Sequence, residues 1–585
     1  MSQINITYLS ETTPDTLLDQ QLVLNTGPVS SKPLPDPLDK TLKEYIVVVK
    51  KSEDVESFYL DMESPDGDLY IPNRKVDIVE LRPMSNSTHY MLTEYEASQI
   101  RKDSRVESVE MTLKDKGFKI QPLAQESSDN WNKSSVANAN DKNWGLYRCY
   151  IGAKVPDWGS DKNANTSGDI FLTNSGRNVD VVICDGHIDP DHPEFAVNPD
   201  GTGGSRVIRY NWFQHNREVR NIDPGTYEYV VNPNDPSDNH GTHVAGIACG
   251  NTQGWAKSAN IYNISPYSNH PNEDIPNWNY YVLDYIRAFH KTKPINPNTG
   301  VKNPTIVNLS WGATGSADLS KVDNVKFQGT TFPPQASPWS SYRAMLGLIA
   351  ADSSGKVVFM VRDDSIDVDA VACISDGLIL VGAAGNYFMY NDVPGGKNYD
   401  NSIRNSQTQQ YTNYMRGPSP GAAPGVISVS AVGDLVDEKK PDYSNAGPRT
   451  DIFAPGSSIM SSYITGGVPD PRNSSFNLAK SAGTSMACPQ VAGILACVLE
   501  SYPNLKQSDA LKYIQAISSK DQLSNPITIP TFPFMNFNSL LSGPNIFLKY
   551  KKERLDSGKA LPKTDFKTRP DKGLVYPRIS RKIFK

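Results

Sequence analysis

Three segments carry residue types that can do nucleophilic chemistry. In the first, an apolar run ends in a carboxylate: Val181-Val-Ile-Cys-Asp185-Gly186-His187, continuing to His192-Pro193. The second is His240-Gly-Thr-His243-Val-Ala-Gly246. The third is Gly483-Thr-Ser485-Met-Ala-Cys488-Pro-Gln490-Val-Ala-Gly493, and both of these lead into predicted helices. A serine hydroxyl is too weak an acid to attack a carbonyl unaided. An imidazole must take its proton, and a carboxylate must hold that imidazole in the right tautomer. Asp185, His240 and Ser485 are those three parts. A fourth segment, Val381-Gly-Ala383-Ala384-Gly385-Asn386, ends a strand in small residues and then an amide. Small residues let a substrate approach the backbone closely. The Asn386 amide, with the Ser485 backbone N–H, can donate to the oxyanion of a tetrahedral intermediate.

Rival chemistries find less support. His240 and His243 stand three apart, but there is no HExxH segment and no acidic third ligand beside them, so no metal and no cofactor is assigned. His187, Asp189, Asp191 and Glu194 form a polar cluster that reads as a solvated loop rather than a cation site. The six cysteines include no CxxC pair and read as buried, reduced thiols. Cys488 is close enough to Ser485 in sequence for thiol reagents to interfere.

The elements that must position these residues are apolar strands followed by Gly-rich turns and helical stretches: Val179–Cys184, Thr305–Leu309, Leu378–Gly382 and Val426–Val432. Runs apolar on both faces predict a doubly wound parallel α/β sheet covered by helices. Ahead of it, Tyr45–Lys50, Val76–Val79 and Val106–Val109 read as strands. Between them lie a helix face (Val55, Phe58, Tyr59, Met62) and a capping box at Thr93-Glu-Tyr-Glu96. That alternation predicts a small α+β, ferredoxin-like unit. The expected organisation is a mobile arm over 1–40, the small unit over 41–118, a Ser/Asn/Gln-rich linker over 119–143, the α/β domain over 144–520 and an extended basic tail over 521–585.

With 585 residues, 38% hydrophobic and 21% charged, the chain can bury a large core and is not a disordered polymer. Its net charge of −6 argues against nucleic acid as a partner. No apolar run reaches the roughly 18–20 residues of a membrane span, so no membrane partner is expected. The first residues lack the basic and apolar regions of a secretory signal peptide, which predicts a cytoplasmic or virus-particle-associated setting. Residues 549–585 carry +9 while the rest carries −15. That contrast suggests a tail docking on a protein partner or on an acidic strip of its own body, and dispensable for folding beyond Gly543.

Taken together, these segments resemble the subtilases, the serine proteases of the subtilisin type. The order Asp, His, Ser is the subtilisin order. HGTHVAG and GTSMAxPxVAG are long signatures, and Val307-Asn-Leu-Ser310-Trp311-Gly312, Gly425–Ala431 and Ala454-Pro-Gly456 agree. The resemblance covers roughly 144–505, and residues 42–115 resemble the family's inhibitory propeptide. It implies a serine endopeptidase made as a zymogen, acting on protein or peptide substrates and held by its own propeptide. Ser485 would be nucleophile, His240 general base and then acid, Asp185 the orienting carboxylate and Asn386 the oxyanion donor. Ser310, Trp311, Gly312, Ala383, Ala384 and Gly385 would line the substrate's side-chain pocket. The short Cys249–Ala256 segment is similar to that of proteinase-K-like members, so the strong calcium site of other subtilisins is not carried over.

Two positions depart from the family pattern. Gly186-His187 follows Asp185 where a hydroxyl residue and then Gly are usual, and Gln490 stands where His is usual. Insertions fall between Gly312 and Leu378 and between Asn386 and Pro424. An alternative reading, a structural or docking protein that keeps the fold with weakened chemistry, rests on the Asp185-Gly186-His187 segment and the basic tail.

Overall fold

The computed structural model describes residues 41–550 except 65–66, 68, 71–77, 81, 83, 123–143, 153–171, 173, 268–274, 333–345, 349, 436 and 526–538. The expected arm over 1–40, most of the linker and the tail beyond Tyr550 lie outside the described residues. So do Val76 and Asp77 of the second strand expected in the small unit.

That small unit begins with β1 (Lys43–Val49), α1 (Val55–Glu63), β2 (Ile78–Glu80) and β3 (Ser87–Leu92), followed by α2 (Glu94–Ile100) and β4 (Val106–Met111). Its strands pair in the order β2-β3-β1-β4, the antiparallel sheet of a ferredoxin-like fold. Both halves of the capping box are made: Thr93 Oγ1 accepts from the Glu96 N–H, and Glu96 Oε2 accepts from the Thr93 N–H. β1 shows why one sheet can serve two cores. Tyr45, Val47 and Val49 pack with Phe58, Met62 and Ala97 in the unit's own core, whereas Ile46 and Val48 belong to the core of the large domain. Period-two alternation puts the two sets on opposite faces.

The chain continues through β5 (Lys119–Pro122), α3 (Trp144–Ile151), β6 (Asp180–Cys184), β7 (Val207–Ile208) and α4 (Pro236–Cys249). Next come β8 (Asn260–Ile264), α5 (Val282–Thr292), β9 (Thr305–Leu309), β10 (Trp311–Ala317), β11 (Val322–Phe327), β12 (Thr330–Phe332) and β13 (Val357–Met360). After these are α6 (Asp364–Ser375), β14 (Ile379–Ala383), β15 (Ser402–Asn405), β16 (Tyr411–Asn413), β17 (Ile427–Val432) and β18 (Ile452–Pro455). The last are β19 (Ile459–Tyr463), β20 (Val468–Asp470), β21 (Asn473–Ser481), α7 (Thr484–Ser501), α8 (Gln507–Ile517), β22 (Ser519–Lys520) and β23 (Ile546–Phe547).

Nine strands form the central sheet in the order β22-β23-β18-β17-β14-β9-β6-β8-β7. All are parallel except the edge strand β22. Every residue of β6, β9, β14 and β17 is buried, as strands covered by helices on both faces must be. Strand order reverses between β6 and β9, and the crevice beyond the carboxyl ends there is where such sheets bind ligands. The two insertions meet in a separate antiparallel sheet, β12-β11-β15-β16. Among the described residues no helix is long and apolar enough to cross a membrane.

Two expected boundaries move. Lys119–Pro122 is strand β5, not linker, and pairs antiparallel with β10. The folded domain also runs past residue 520. β23 adds to the central sheet through Phe453–Phe547, and Leu540, Phe547 and Leu548 are fully buried. The Arg148 guanidinium lies 4.3 Å from the Phe547 ring centroid and makes a buried, two-pronged ion pair with Glu438 at 2.6 and 2.9 Å. Residues 540–550 therefore belong to the core, and a basic tail can begin only after Tyr550.

The small unit sits on α5 and α6. Arg82 is fully buried there and ion-pairs with Asp284 of α5 at 2.8 Å and with Asp369 of α6. Ser85 donates to Asp369 at 2.6 Å, and the Leu113 N–H donates to the Tyr280 hydroxyl at 3.0 Å.

Candidate active site

Asp185 follows the last residue of β6, at the reversal of strand order. His240 lies in the second turn of α4, a helix opened by Pro236 and by the Asp235 side chain, which accepts from the Ser237 N–H at 2.8 Å. The Asp185 carboxylate accepts from His240 Nδ1 at 2.7 Å and from the Gly186 N–H at 2.8 Å, both on Oδ1. A proton on Nδ1 leaves Nε2 as the basic nitrogen, and Nε2 has no hydrogen-bond partner. Burial raises the Asp185 carboxyl above its usual range, and His240 opposes that shift.

The Gly186-His187 departure has a steric cause. A Cβ at Gly186 would stand 1.8 Å from the Ser237 carbonyl oxygen, and one at Gly241 would stand 2.0 Å from the Gly186 oxygen. The backbone after β6 crosses the start of α4 at closest approach, and that crossing brings His240 onto Asp185. No hydroxyl residue fits at 186, and Asp185 Oδ2 is left buried without a donor. His187 points away from the pair: its N–H donates to Asp238 at 2.7 Å, and its ring stands edge-on to Tyr229 at 5.2 Å.

Ser485 is the second residue of α7 and fully buried. Its Oγ donates to the Ser310 carbonyl at 2.9 Å, while Ser310 Oγ donates to the Ser485 carbonyl at 3.1 Å. Asn308 holds the Ser310 hydroxyl at 2.8 Å. Asn386 is fixed by Thr484, whose N–H and hydroxyl both donate to its Oδ1 at 2.9 Å. An N–H can meet only the oxygen of that amide, so the two-hydrogen end of Asn386 must point elsewhere. Thr484, Asn308 and Gly241 are supporting residues that sequence reading missed. Thr484 and Gly241 meet partners remote in the chain, whereas Asn308 acts on Ser310 two residues on, within one signature.

Of the six expected substrate-binding residues, Trp311 and Gly312 meet another chain segment through their backbone. They pair with Pro122 and Gln121, and Ala313 and Thr314 pair with Ile120 and Lys119. The Trp311 side chain is buried in the main core. Ala383 ends β14, the Ala384 carbonyl accepts from Asn391 at 2.8 Å, and Gly385 adopts φ +108°. A Cβ at Gly385 would meet Asn445 Nδ2 at 2.4 Å.

Other expectations resolve as follows. Glu194 leaves the polar cluster: it is buried, bonded to the Thr252 and Gln253 N–H groups and ion-paired with Arg472 at 2.5 Å. His243 Nε2 lies 3.0 Å from both the Ile459 and Ala479 carbonyls, and burial lowers its pKa to about 3, so it is neutral. Gln490 accepts from the Trp255 indole at 2.6 Å, a packing role. The expected reach of thiol reagents to Cys488 does not hold, because its thiol is fully buried and burial pushes its pKa up to about 12.

The model of the subtilase family, peptidase S8, matches residues 176–526, more than half of the chain. The chain belongs to the subtilase family. Among curated relatives, this subtilase is 25% identical to a subtilisin-like protease of Coccidioides posadasii (strain C735) over 66% of its own length and 56% of that protein. It is 26% identical to an alkaline proteinase of Hapsidospora chrysogena over 51% of its own length and 52% of that protein. The match thus spans about half the length of these relatives. Among solved structures, fervidolysin from Fervidobacterium pennivorans, a keratinolytic enzyme related to subtilisin, aligns with a TM-score of 0.47 and 18% identity, over 88% of this chain and 61% of that one.

Proposed function

We propose that this subtilase is a serine endopeptidase made as a zymogen, with Ser485 as nucleophile, His240 as base and acid, Asp185 as orienting carboxylate and Asn386 as oxyanion donor. The observation that carries the reading is the Asp185–His240 contact of 2.7 Å, supported by Thr484, which precedes Ser485 and holds Asn386 at 2.9 Å. Ser485 Oγ rotates from the Ser310 carbonyl towards His240 Nε2, forgoing one hydrogen bond worth about 1 kcal/mol net. It then attacks the substrate carbonyl as Nε2 takes its proton. The oxyanion is met by the Asn386 amide. The imidazolium, held by Asp185, gives that proton to the leaving amine, and water repeats the sequence on the acyl-enzyme. The close approach at Gly186 accounts for the absence of a hydroxyl residue there, and the Asp185–His240 contact is made without one.

The zymogen reading is supported by β5. The segment Lys119–Pro122 lies along β10 as an antiparallel substrate strand would, directly after the small unit. Gln121 pairs with Gly312; two residues back from Gly312 is Ser310, which accepts from Ser485, and two residues on from Gln121 is Leu123. Self-cleavage is therefore expected between Leu123 and Ala124. N-terminal sequencing of the processed protein checks this. A mature N-terminus at Ala124 is the expected result, with the Ser485→Ala protein remaining full length. Processing of Ser485→Ala protein in a protease-free preparation would remove self-cleavage from the account.

A further inference from the structure

We propose that β10 and β13 build an aromatic subsite, centred on Gly315 and Phe359, that takes a substrate side chain four residues before the residue paired with Trp311. The proposal rests on the peptidase reading above and names a specificity element of that same cleft. β10 continues past the short substrate-pairing stretch, and its far edge pairs with β13, so the three strands run β13-β10-β5. Gly315 is the direct partner of Phe359 in that register. On the other edge Thr314 pairs with Lys119, which places Phe118 beside Gly315.

The missing side chain at Gly315 makes the slot. A Cβ there would stand 2.7 Å from the Phe118 ring and 2.9 Å from the Phe359 ring. The two rings meet edge to face across the glycine, with centroids 6.4 Å apart and an interplanar angle of 80°. An aromatic ring laid over a glycine on the neighbouring strand is a recognised way to cover exposed backbone, and edge-to-face contact adds to simple burial. The floor of the slot is fixed without Phe118. Phe359 is buried and packs edge-on against Tyr414, whose hydroxyl donates to the Leu346 carbonyl at 3.0 Å. Phe118 and Ile120 are half-buried against the large domain, while Lys119 between them is exposed. The cleft thus reads alternate side chains of an extended strand, and the outermost pocket is furnished by the insertion after Gly312. When the propeptide strand leaves, a slot one aromatic ring wide remains for incoming polypeptide.

The test uses two synthetic peptides spanning residues 116–128, one with the natural Phe118 and one with Phe118→Ala, offered to the processed enzyme. The natural peptide is expected to show a kcat/KM about tenfold higher, the scale for partly burying one ring. In Gly315→Val, which fills the slot, that ratio should fall towards unity, and Phe359→Leu should lower it as a second, milder change. Equal cleavage of both peptides by the wild-type enzyme overturns the subsite and leaves the peptidase reading standing. If neither peptide is cut, the peptidase reading fails. The subsite is then judged on fluorescence polarisation of the same labelled peptides with protein cut in trans and freed of residues 1–123, so that its own Phe118 no longer fills the slot: about tenfold tighter binding of the Phe118 peptide upholds it, and equal binding ends it.

Discussion

Ser485→Ala is expected to lower kcat by about 10⁴–10⁶-fold while leaving KM for a short peptide within a few-fold. Measurements on subtilisin, a member of the same family, set that scale. The physical reason is that the hydroxyl bonded to the Ser485 backbone, that of Ser310, is not free to replace Ser485 Oγ. Ser310 Oγ accepts from Asn308 and donates to the Ser485 carbonyl. On the proposed roles, what survives is the stabilisation supplied by Asn386 and by substrate binding. Because nucleophile and base act as a unit, adding His240→Ala to Ser485→Ala should cost almost nothing more. Asp185→Asn should cost about 10⁴-fold, since the amide would no longer hold the Nδ1–H tautomer. The measurement is steady-state kinetics on protein processed in trans by immobilised wild-type enzyme and then separated from it. Multiplicative losses in the double variant would show that Ser485 and His240 do not act on one reaction.

A chain ending at Gly543 is expected to lose most of its stability, whereas one ending at Tyr550 is expected to keep its thermal midpoint. The difference is seven residues. They include Phe547 and Leu548, both fully buried, and Tyr550, 4% exposed and edge-on to Trp255. Three such side chains are worth roughly 4.5–9 kcal/mol at about 1.5–3 kcal/mol each, against a total of about 5–15 kcal/mol for a folded domain. The loss also strips the ring that covers Arg148 and opens the Arg148–Glu438 pair to water. Thermal unfolding of the two chains side by side checks this. Equal midpoints would mean that β23 and the segment after it add nothing to the core.

How far these features could be read from residues alone follows from where their partners lie. β6, β9, β14 and β17 were legible because both faces are buried, which writes an unbroken apolar run. The capping box was legible because its residues are three apart. β3 was missed because its sequence, Ser-Thr-His-Tyr-Met-Leu, is polar at its start, where Ser87 meets Ser365 and Arg82 at a buried polar contact. β5 was hidden in a polar linker, because its partner β10 lies about 190 residues on and nothing local marks the pairing. β23 is two residues long and borders a strongly basic stretch, whose composition masked the buried Phe547 and Leu548. The triad positions were written in extended signatures. The reason for Gly186 was not, since it depends on the carbonyl of Ser237 in another element.

The most direct test of the central claim is covalent labelling with a fluorophosphonate, which reacts only with a serine activated by a working base. Mass spectrometry of the digested adduct should place one phosphonyl group per chain on Ser485, with labelling absent in Ser485→Ala and in His240→Ala and restored in neither by excess reagent. Stoichiometric labelling at another residue, or none at Ser485 in the processed wild-type protein, would contradict the assignment of Asp185, His240 and Ser485 as one catalytic unit.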